Sequence, residues 1–164
     1  MTLLSIDIDG VLHAHDAHFA VGNTKTASME ELRAAGLFQH CQALADLLAT
    51  QHEVELVMHS SWRLTHGIQE LRALLGPAGR YLKAVTPPEL EREASVLELM
   101  RRRRLRAADV VLLDDQPALF SELRGRVIVC DPVSGLSSPG VLAAVRDAFS
   151  KPTARRLAEK VRDT

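Results

Sequence analysis

The sequence has little cysteine, no excess of either charge and no long apolar run, and these absences exclude several classes of protein. Cys41 and Cys130 lie far apart and have no metal-ligand spacing. We therefore expect two reduced thiols that pack as small hydrophobic side chains, and no disulfide. Asp7 interrupts the apolar amino-terminal stretch, which also has no basic segment. We expect neither a signal peptide nor a membrane span, and a cytoplasmic location.

The charge balance gives no indication of a polyanionic partner. The chain has 20 Lys and Arg residues and 21 Asp and Glu residues, for a net charge of −1, so its overall charge favours neither nucleic acid nor an anionic membrane. With 164 residues, 46% of them hydrophobic, it has the size of one globular domain with an adequate core. We expect that domain to cover residues 1–150, followed by a charged helix or tail over residues 151–164.

Short apolar segments alternate with segments of helical periodicity along the chain. Strands are predicted in the run that begins at Leu3 and at residues 54–59, 81–85, 109–113 and 126–130. Helices are predicted at residues 28–51, with a break at Gly36, and at residues 64–75, 86–105, 118–123 and 140–149. Residues 11–25 lack periodicity and predict a loop or short flap. The alternation predicts an α/β fold: a three-layer, doubly wound parallel sheet with helices on both faces.

Polar side chains follow three of the predicted strands, at the point where each strand ends. Because the carboxyl ends of parallel strands meet at one edge of a sheet, we expect these residues to converge. An Asp-Gly turn would explain one carboxylate after the first strand but not a second at the end of a buried run. Crowded carboxylates repel one another and bind a cation, and oxygen ligands suit Mg²⁺. The residues concerned are Asp7, Asp9, Ser60, Ser61, Asp114 and Asp115.

These segments resemble the haloacid dehalogenase superfamily of phosphohydrolases. The run Asp7-Ile8-Asp9-Gly10-Val11 is similar to its first motif, Ser60 to its second, and the pair Asp114 and Asp115 to its acidic fourth motif. Ser60 follows Asp7 by 53 positions and Asp114 follows Ser60 by 54, which leaves room for a small flap but not for a large cap domain. Within the superfamily, the chain resembles the small domains of RNA-repair-like proteins. The resemblance implies a Rossmann-like, capless fold.

The resemblance also implies a Mg²⁺-dependent phosphatase that forms an aspartyl-phosphate. Asp7 would be the nucleophile and Asp9 the general acid and base, with its main-chain carbonyl at the metal. Ser60 and Ser61 would bind the phosphoryl oxygens. The metal site implied by the family comprises Asp7, Asp9, Asp114 and Asp115.

The third motif of the superfamily, a Lys or Arg, has two candidates in this chain. Arg92 is the best positional match, at the start of the helix before the acidic strand, and Lys83 lies nine residues earlier on a predicted strand. An arginine binds phosphate through its planar fork and is not equivalent to the point charge of a lysine. The missing lysine therefore motivates an alternative function, a catalytically weak or inactive binding domain of the same fold. A receiver domain is disfavoured because its acidic pair precedes its phosphorylated Asp.

Three further features each have more than one interpretation. His13, His15 and His18 could form a metal site, although alternate histidines in a loop are more often solvated or contact substrate. Trp62 could stack on a base or pack in the core. The arginine-rich segment 101–106 could contact phosphates, whereas a solvated helix end is favoured. If these features share the acidic face, the substrate is a polynucleotide end or another bulky phosphoester.

Overall fold

The computed structural model describes residues 1–150, which form a five-stranded parallel sheet with helices on both faces. The strands run in the spatial order β3-β2-β1-β4-β5. They comprise β1 (Thr2–Ile6), β2 (Val54–Met58), β3 (Leu82–Val85), β4 (Val110–Asp114) and β5 (Val127–Val129). The predicted doubly wound α/β fold is confirmed. The predicted terminal helix or tail at residues 151–164 lies outside the described residues.

Five α-helices connect and cover the strands. They are α1 (Met29–Ala34), α2 (Cys41–Ala49), α3 (Ile68–Leu74), α4 (Arg92–Arg103) and α5 (Pro139–Ser150). The predicted helix 28–51 is therefore two helices, separated where Gly36 and Phe38 adopt positive φ angles of 81° and 60°. Positive φ is incompatible with a right-handed helix, so the chain turns there as the predicted break at Gly36 suggested.

The predicted helix at residues 118–123 is wrong. The structure has only a 3-10 turn at Pro117–Leu119. The carboxylate of Glu93, on α4, accepts hydrogen bonds from the backbone amides of Ser121 and Leu123 at 2.8–3.0 Å. These amides are satisfied by a side chain from a distant segment, and the backbone need not form a helix to satisfy them.

The central strand β1 is buried on both faces. All five of its residues are buried, as expected for the middle of a covered parallel sheet. Leu4 and Ile6 pack in one hydrophobic cluster with α2, α3 and α5, whereas Leu3 packs in a second cluster with α4 and Phe120. The alternation of side chains along β1 thus joins the two layers of helices.

Strand register brings the polar strand ends together. Ile6 at the end of β1 is paired with Met58 of β2 on one side and with Leu113 of β4 on the other. The pairing continues beyond the strands, because the Asp7 amide donates to the Leu113 carbonyl at 2.9 Å and the His59 amide to the Ile6 carbonyl at 3.0 Å. The residues that follow β1, β2 and β4 therefore emerge side by side.

The flap, residues 11–25, contains a 3-10 turn at His15–Ala20 and is held at its base by the loop after β5. The His15 amide donates to the Pro132 carbonyl at 2.7 Å, and the Leu136 amide to the Val11 carbonyl at 2.8 Å. A Cβ at Gly135 would lie 2.4 Å from the Val11 carbonyl oxygen, so a glycine is required for this close approach. Within residues 1–150, the chain between β1 and β2 contains the flap, α1 and α2, and no separate cap domain.

No helix among residues 1–150 has both the length and the apolar character needed to cross a lipid bilayer.

We predict that Leu4→Ala destabilises the protein by about 2–5 kcal/mol, because it removes a fully buried side chain from the strand that joins both layers. The measurement is the free energy of unfolding from urea denaturation. Leu119→Ala is the matched control: Leu119 is 44% exposed, and its loss should change the free energy of unfolding by less than about 0.5 kcal/mol. Equal effects of the two substitutions would contradict the proposed core.

Candidate active site

Three carboxylates meet at the carboxyl edge of the sheet. Asp7 follows β1, Asp114 ends β4 and Asp115 comes next; one ligand oxygen from each lies within 4.8 Å of the others. Asp7 and Asp114 are buried, and Asp115 is only partly exposed. We call these residues the acidic cluster. The structure thus brings together the first and fourth motifs, as the strand ends predicted.

Arg92 is the cation that reaches the acidic cluster. It is the first residue of α4, and its Nη1 donates to Asp7 Oδ2 and, at 2.6 Å, to Asp114 Oδ2. Burial lowers the pKa of Arg92, but Asp7 and Asp114 outweigh burial and raise it above its ordinary value. Lys83 lies on the edge strand β3 with an exposed side chain, and no described hydrogen bond joins it to the cluster. Of the two predicted candidates, the geometry favours Arg92.

His59 also hydrogen-bonds Asp114, a contact that was not predicted. Its Nε2 donates to Asp114 Oδ2 at 2.9 Å, and its Nδ1 lies 2.8 Å from Ser5 Oγ. Burial raises the pKa of Asp114, but the hydrogen bond from His59 and the charge of Arg92 reverse this effect and leave the pKa below its ordinary value. Two polar residues in apolar strands, Ser5 and His59, were the available sequence signal.

Asp115 has a different environment from Asp114. Its Oδ2 is 2.7 Å from His15 Nδ1, whereas its Oδ1 is buried and has no hydrogen-bond partner among the described residues. Burial raises the pKa of Asp115 and is the largest effect; the charge and hydrogen bond of His15 oppose it, and the charges of Asp114 and Asp7 add smaller increases. The cluster therefore contains excess negative charge and one oxygen without a partner, which is the environment of a cation site.

The residues of the acidic cluster fit Mg²⁺. The ligand atoms are all carboxylate oxygens, the type of ligand that hard divalent cations prefer, and the unpartnered Oδ1 of Asp115 is available to one. Gly10, at φ 71°, lets the backbone pass beside the Asp115 carboxylate, because a Cβ at position 10 would lie 2.4 Å from Asp115 Cγ. The Asp9 side chain is not part of the cluster, so a metal ligand from Asp9 would be its main-chain carbonyl.

The carboxylate of Asp9 is held by donors from two other segments. Its Oδ1 accepts from His13 Nε2 at 2.9 Å, and its Oδ2 accepts from Trp62 Nε1 at 2.9 Å. Phe38 donates its backbone amide to His13 Nδ1, so Nε2 is the protonated nitrogen that faces Asp9. Burial raises the pKa of Asp9, but the hydrogen bonds from His13 and Trp62 outweigh burial and lower the pKa below its ordinary value.

Two flap histidines and Trp62 hydrogen-bond the carboxylates of Asp9 and Asp115. His15 contacts Asp115, and His13 contacts Asp9, so the two rings do not form the separate metal site considered from the sequence. His13 is fully buried, which corrects the expectation of a solvated side chain. Trp62 is also buried and packs against Phe38, so its role is that of a core aromatic with a hydrogen bond to Asp9 and not of an exposed stacking surface.

The turn after β2 places Ser60 and Ser61 differently. Ser60 is fully buried at the end of the strand, and Ser61 is exposed. Arg63, which sequence reasoning missed, fixes this turn by donating from Nη1 to the carbonyls of His59 and Ser60 and from Nη2 to the carbonyl of Leu90. Burial lowers the pKa of Arg63, with a smaller contribution from nearby Arg92. The predicted phosphate contacts of Ser60 and Ser61 remain a hypothesis.

The arginine-rich segment 101–106 lies at the opposite edge of the sheet. Arg92 starts α4 at the acidic cluster, and the segment begins in the last turn of this 12-residue helix, which is about 18 Å long. Arg103 pairs with Glu55 near the start of β2, and Arg106 pairs with Asp109 just before β4. The segment therefore does not share the acidic edge, which was the condition for its contact with a substrate there. The ion pairs agree with the favoured alternative of a solvated helix end.

One of the comparisons with known proteins supports the fold. Neither the curated proteins nor the solved structures include a match to this chain. The family model described as "HAD domain in Swiss Army Knife RNA repair proteins" matches residues 3–141. The matched region contains the acidic cluster, Arg92, and the turn after β2. The chain therefore belongs to this family of haloacid dehalogenase (HAD) domains related to RNA repair proteins, within the HAD-type phosphohydrolases.

Proposed function

We propose that this protein is a Mg²⁺-dependent phosphatase that acts through an aspartyl-phosphate on Asp7. The observation that carries the proposal is the meeting of Asp7 with Asp114, Asp115 and Arg92 at one edge of the sheet. Phosphoryl transfer requires an in-line nucleophile and compensation of the phosphoryl charge. The cluster offers both groups in a buried location, where electrostatic stabilisation is strongest.

Asp7 is oriented for nucleophilic attack by contacts to both of its oxygens. Oδ1 accepts from the Ile8 amide at 2.8 Å, and Oδ2 accepts from Arg92. One carboxylate oxygen forms a bond to phosphorus while the bond from phosphorus to the leaving oxygen breaks, and Arg92 offsets the charge that develops. Held by Asp7, Asp114 and Asp115, Mg²⁺ would supply further positive charge beside the phosphoryl oxygens.

Asp9 has two successive roles in this proposal. In the first step its protonated carboxyl gives the proton to the leaving oxygen; in the second its carboxylate takes a proton from the water that attacks the aspartyl-phosphate, which releases phosphate and regenerates Asp7. The donors His13 and Trp62 favour the carboxylate form needed in the second step. Bound phosphate favours the protonated form needed in the first, because a nearby anion raises the pKa of a carboxyl group.

The substrate class that we propose is a polynucleotide end or another bulky phosphoester. The family description, which refers to RNA repair proteins, supports this class. The described chain has no separate cap domain between β1 and β2, so the short flap is the segment that covers the carboxyl edge of the sheet. A site covered only by a short flap also supports a bulky substrate. The arginine-rich segment gives this class no support, since it lies at the other edge.

A catalytically inactive binding domain is the second candidate, and one observation favours it. Arg92 bridges Asp7 and Asp114, and this contact competes with phosphate for the guanidinium and with the metal for the carboxylates. A protein in which this bridge persisted would bind phosphoesters without turnover.

We predict that the purified protein hydrolyses p-nitrophenyl phosphate with Mg²⁺ and that activity disappears in EDTA and in Asp7→Asn. Both changes remove a group required for attack on phosphorus, so the rate should fall to background. Release of p-nitrophenolate measures turnover, and excess Mg²⁺ after EDTA is the control. If no phosphoester in a broad panel is hydrolysed, the binding-domain alternative replaces the phosphatase.

Arg92→Ala should lower kcat/KM by about 10²–10³-fold, because it removes the cation next to the nucleophile. Arg92→Lys should retain part of the activity, since a lysine keeps the charge but replaces the planar guanidinium, whose Nη1 donates to both carboxylates, with a point charge. Lys83→Ala is the control, and steady-state kinetics should show no change because its side chain is exposed at the sheet edge. Loss of activity in Lys83→Ala with normal activity in Arg92→Ala would reverse the assignment.

Asp9→Asn should separate the two chemical steps. With an activated leaving group, which needs little protonation, phosphorylation of Asp7 should continue while hydrolysis of the intermediate slows, so the phosphorylated protein should accumulate. Intact-protein mass spectrometry after rapid acid quench measures this species, with Asp7→Asn as the variant that cannot form it. Equal amounts of phosphorylated protein in the two variants would contradict the assigned roles.

A further inference from the structure

A cleft of about 330 Å³ lies between the flap and the turn after β2, next to the general acid. Its volume is in the range of small-ligand sites. Asp9 contributes to both the active site and the cleft wall. The other lining residues come from the flap and from residues 61–65: His18, Thr24, Ser61, Trp62, Leu64 and Thr65.

We propose that this cleft binds the leaving group of the substrate and selects a neutral, ring-bearing alcohol, such as a nucleoside, over a leaving group that carries a second phosphate. The inference rests on the phosphatase activity proposed above. Of the two substrate classes proposed there, it favours a bulky phosphoester with an uncharged leaving group over a polynucleotide end, whose leaving group carries further phosphates.

The position of Asp9 decides where the leaving group lies. In the proposed reaction the phosphoryl group sits at Asp7, and the leaving oxygen must come within hydrogen-bond reach of Asp9, at about 2.6–3.2 Å. The alcohol attached to that oxygen therefore extends to the side of Asp9 that is open. His13 and Trp62 hold the Asp9 carboxylate at the wall of the cleft, so the cleft is the space that receives the alcohol.

The charge of the lining predicts a neutral leaving group. Among residues 1–150, no lysine or arginine lines the cleft, and Asp9 adds negative charge to it. Arg92 and Arg63 are directed to the acidic cluster and to backbone carbonyls, respectively. Lys25, the neighbour of Thr24, pairs with Glu70 at 2.7 Å. A second phosphate in the cleft would lose water without gaining a cation and would face the Asp9 carboxylate, which opposes its binding.

The apolar and hydroxyl groups at the cleft suit a ring that carries hydroxyls. Leu64, which lines the cleft, is 57% exposed, and Phe19, next to the lining residue His18, is 74% exposed. The rings of His18 and Phe19 are in tilted contact, with centroids 4.1 Å apart and planes at 41°, and they form an aromatic surface on the flap. Ser61 and Thr24 add side-chain hydroxyls that can exchange hydrogen bonds with a sugar. A few polar groups in an apolar surface are typical of small-molecule sites.

Trp62 allows the cleft to be tested without turnover. It is the single tryptophan of the chain and lines the cleft, so its fluorescence reports occupancy. The probes are uridine, uridine 5′-monophosphate and uridine 3′,5′-bisphosphate, titrated with Mg²⁺ into Asp7→Asn, which lacks the nucleophile and cannot turn the nucleotides over. We expect a saturable response to uridine, and for the bisphosphate an affinity about tenfold or more below that of the monophosphate because its second phosphate has no cation partner.

Leu64→Lys tests the charge argument directly. It places a cation in the cleft and should reduce the preference for the monophosphate over the bisphosphate about tenfold, in both binding and kcat/KM. Leu119→Lys is the matched control, because it adds the same charge at an exposed leucine outside the cleft lining. The preference should not change in this control. An equal change in both variants would show an effect of overall charge and overturn the inference.

Binding and hydrolysis measurements distinguish a failure of the proposed cleft from a failure of the proposed phosphatase activity. Hydrolysis of p-nitrophenyl phosphate with no saturable response to uridine would overturn the cleft and leave the phosphatase standing. Saturable binding with the expected preference but no hydrolysis of any ester would support the cleft as a binding site and reject the phosphatase. Equal affinity of Asp7→Asn for the two nucleotides would overturn the predicted selectivity.

Discussion

The repulsion among three carboxylates at one sheet edge is the constraint on which the rest of this site depends. Parallel register forces Asp7, Asp114 and Asp115 together, and burial of so much like charge is costly unless cations and donors oppose it. Arg92 donates to two of the carboxylates, His59 hydrogen-bonds one of these, and His15 contacts the third. The helix that carries Arg92 and the flap that carries His15 are therefore positioned by electrostatics as well as by apolar packing.

The parts of the site that follow from regular backbone geometry could be predicted from the sequence. The apolar runs gave the strands, and parallel strands place their carboxyl ends at one edge, so the acidic cluster followed from the positions of Asp7, Asp114 and Asp115. Partners that come from distant segments could not be predicted, because no periodicity encodes them. His59, Arg63 and the bond from Trp62 to Asp9 belong to this group, as does Glu93, whose carboxylate satisfies the amides where a helix was predicted.

An arginine at the position of the third motif connects the strands of the site differently from a lysine. The guanidinium Nη1 lies between carboxylates from two adjacent strands, and Arg63 connects the end of β2 to the segment before α4 through the Leu90 carbonyl. Two arginines thus join β1, β2, β4 and the start of α4. Because both planar groups donate from fixed directions, the relative positions of these elements are more tightly defined than a single lysine contact would make them.

The attachment of the flap to the loop after β5 has a consequence for motion. The bonds from His15 to Pro132 and from Leu136 to Val11, together with the tight contact at Gly135, fix the base of the flap as part of the rigid body of the sheet. The tip around Phe19, whose side chain is largely exposed, has none of these attachments. The anchored base keeps His15 in contact with Asp115, so a change in the position of the tip need not disturb this contact.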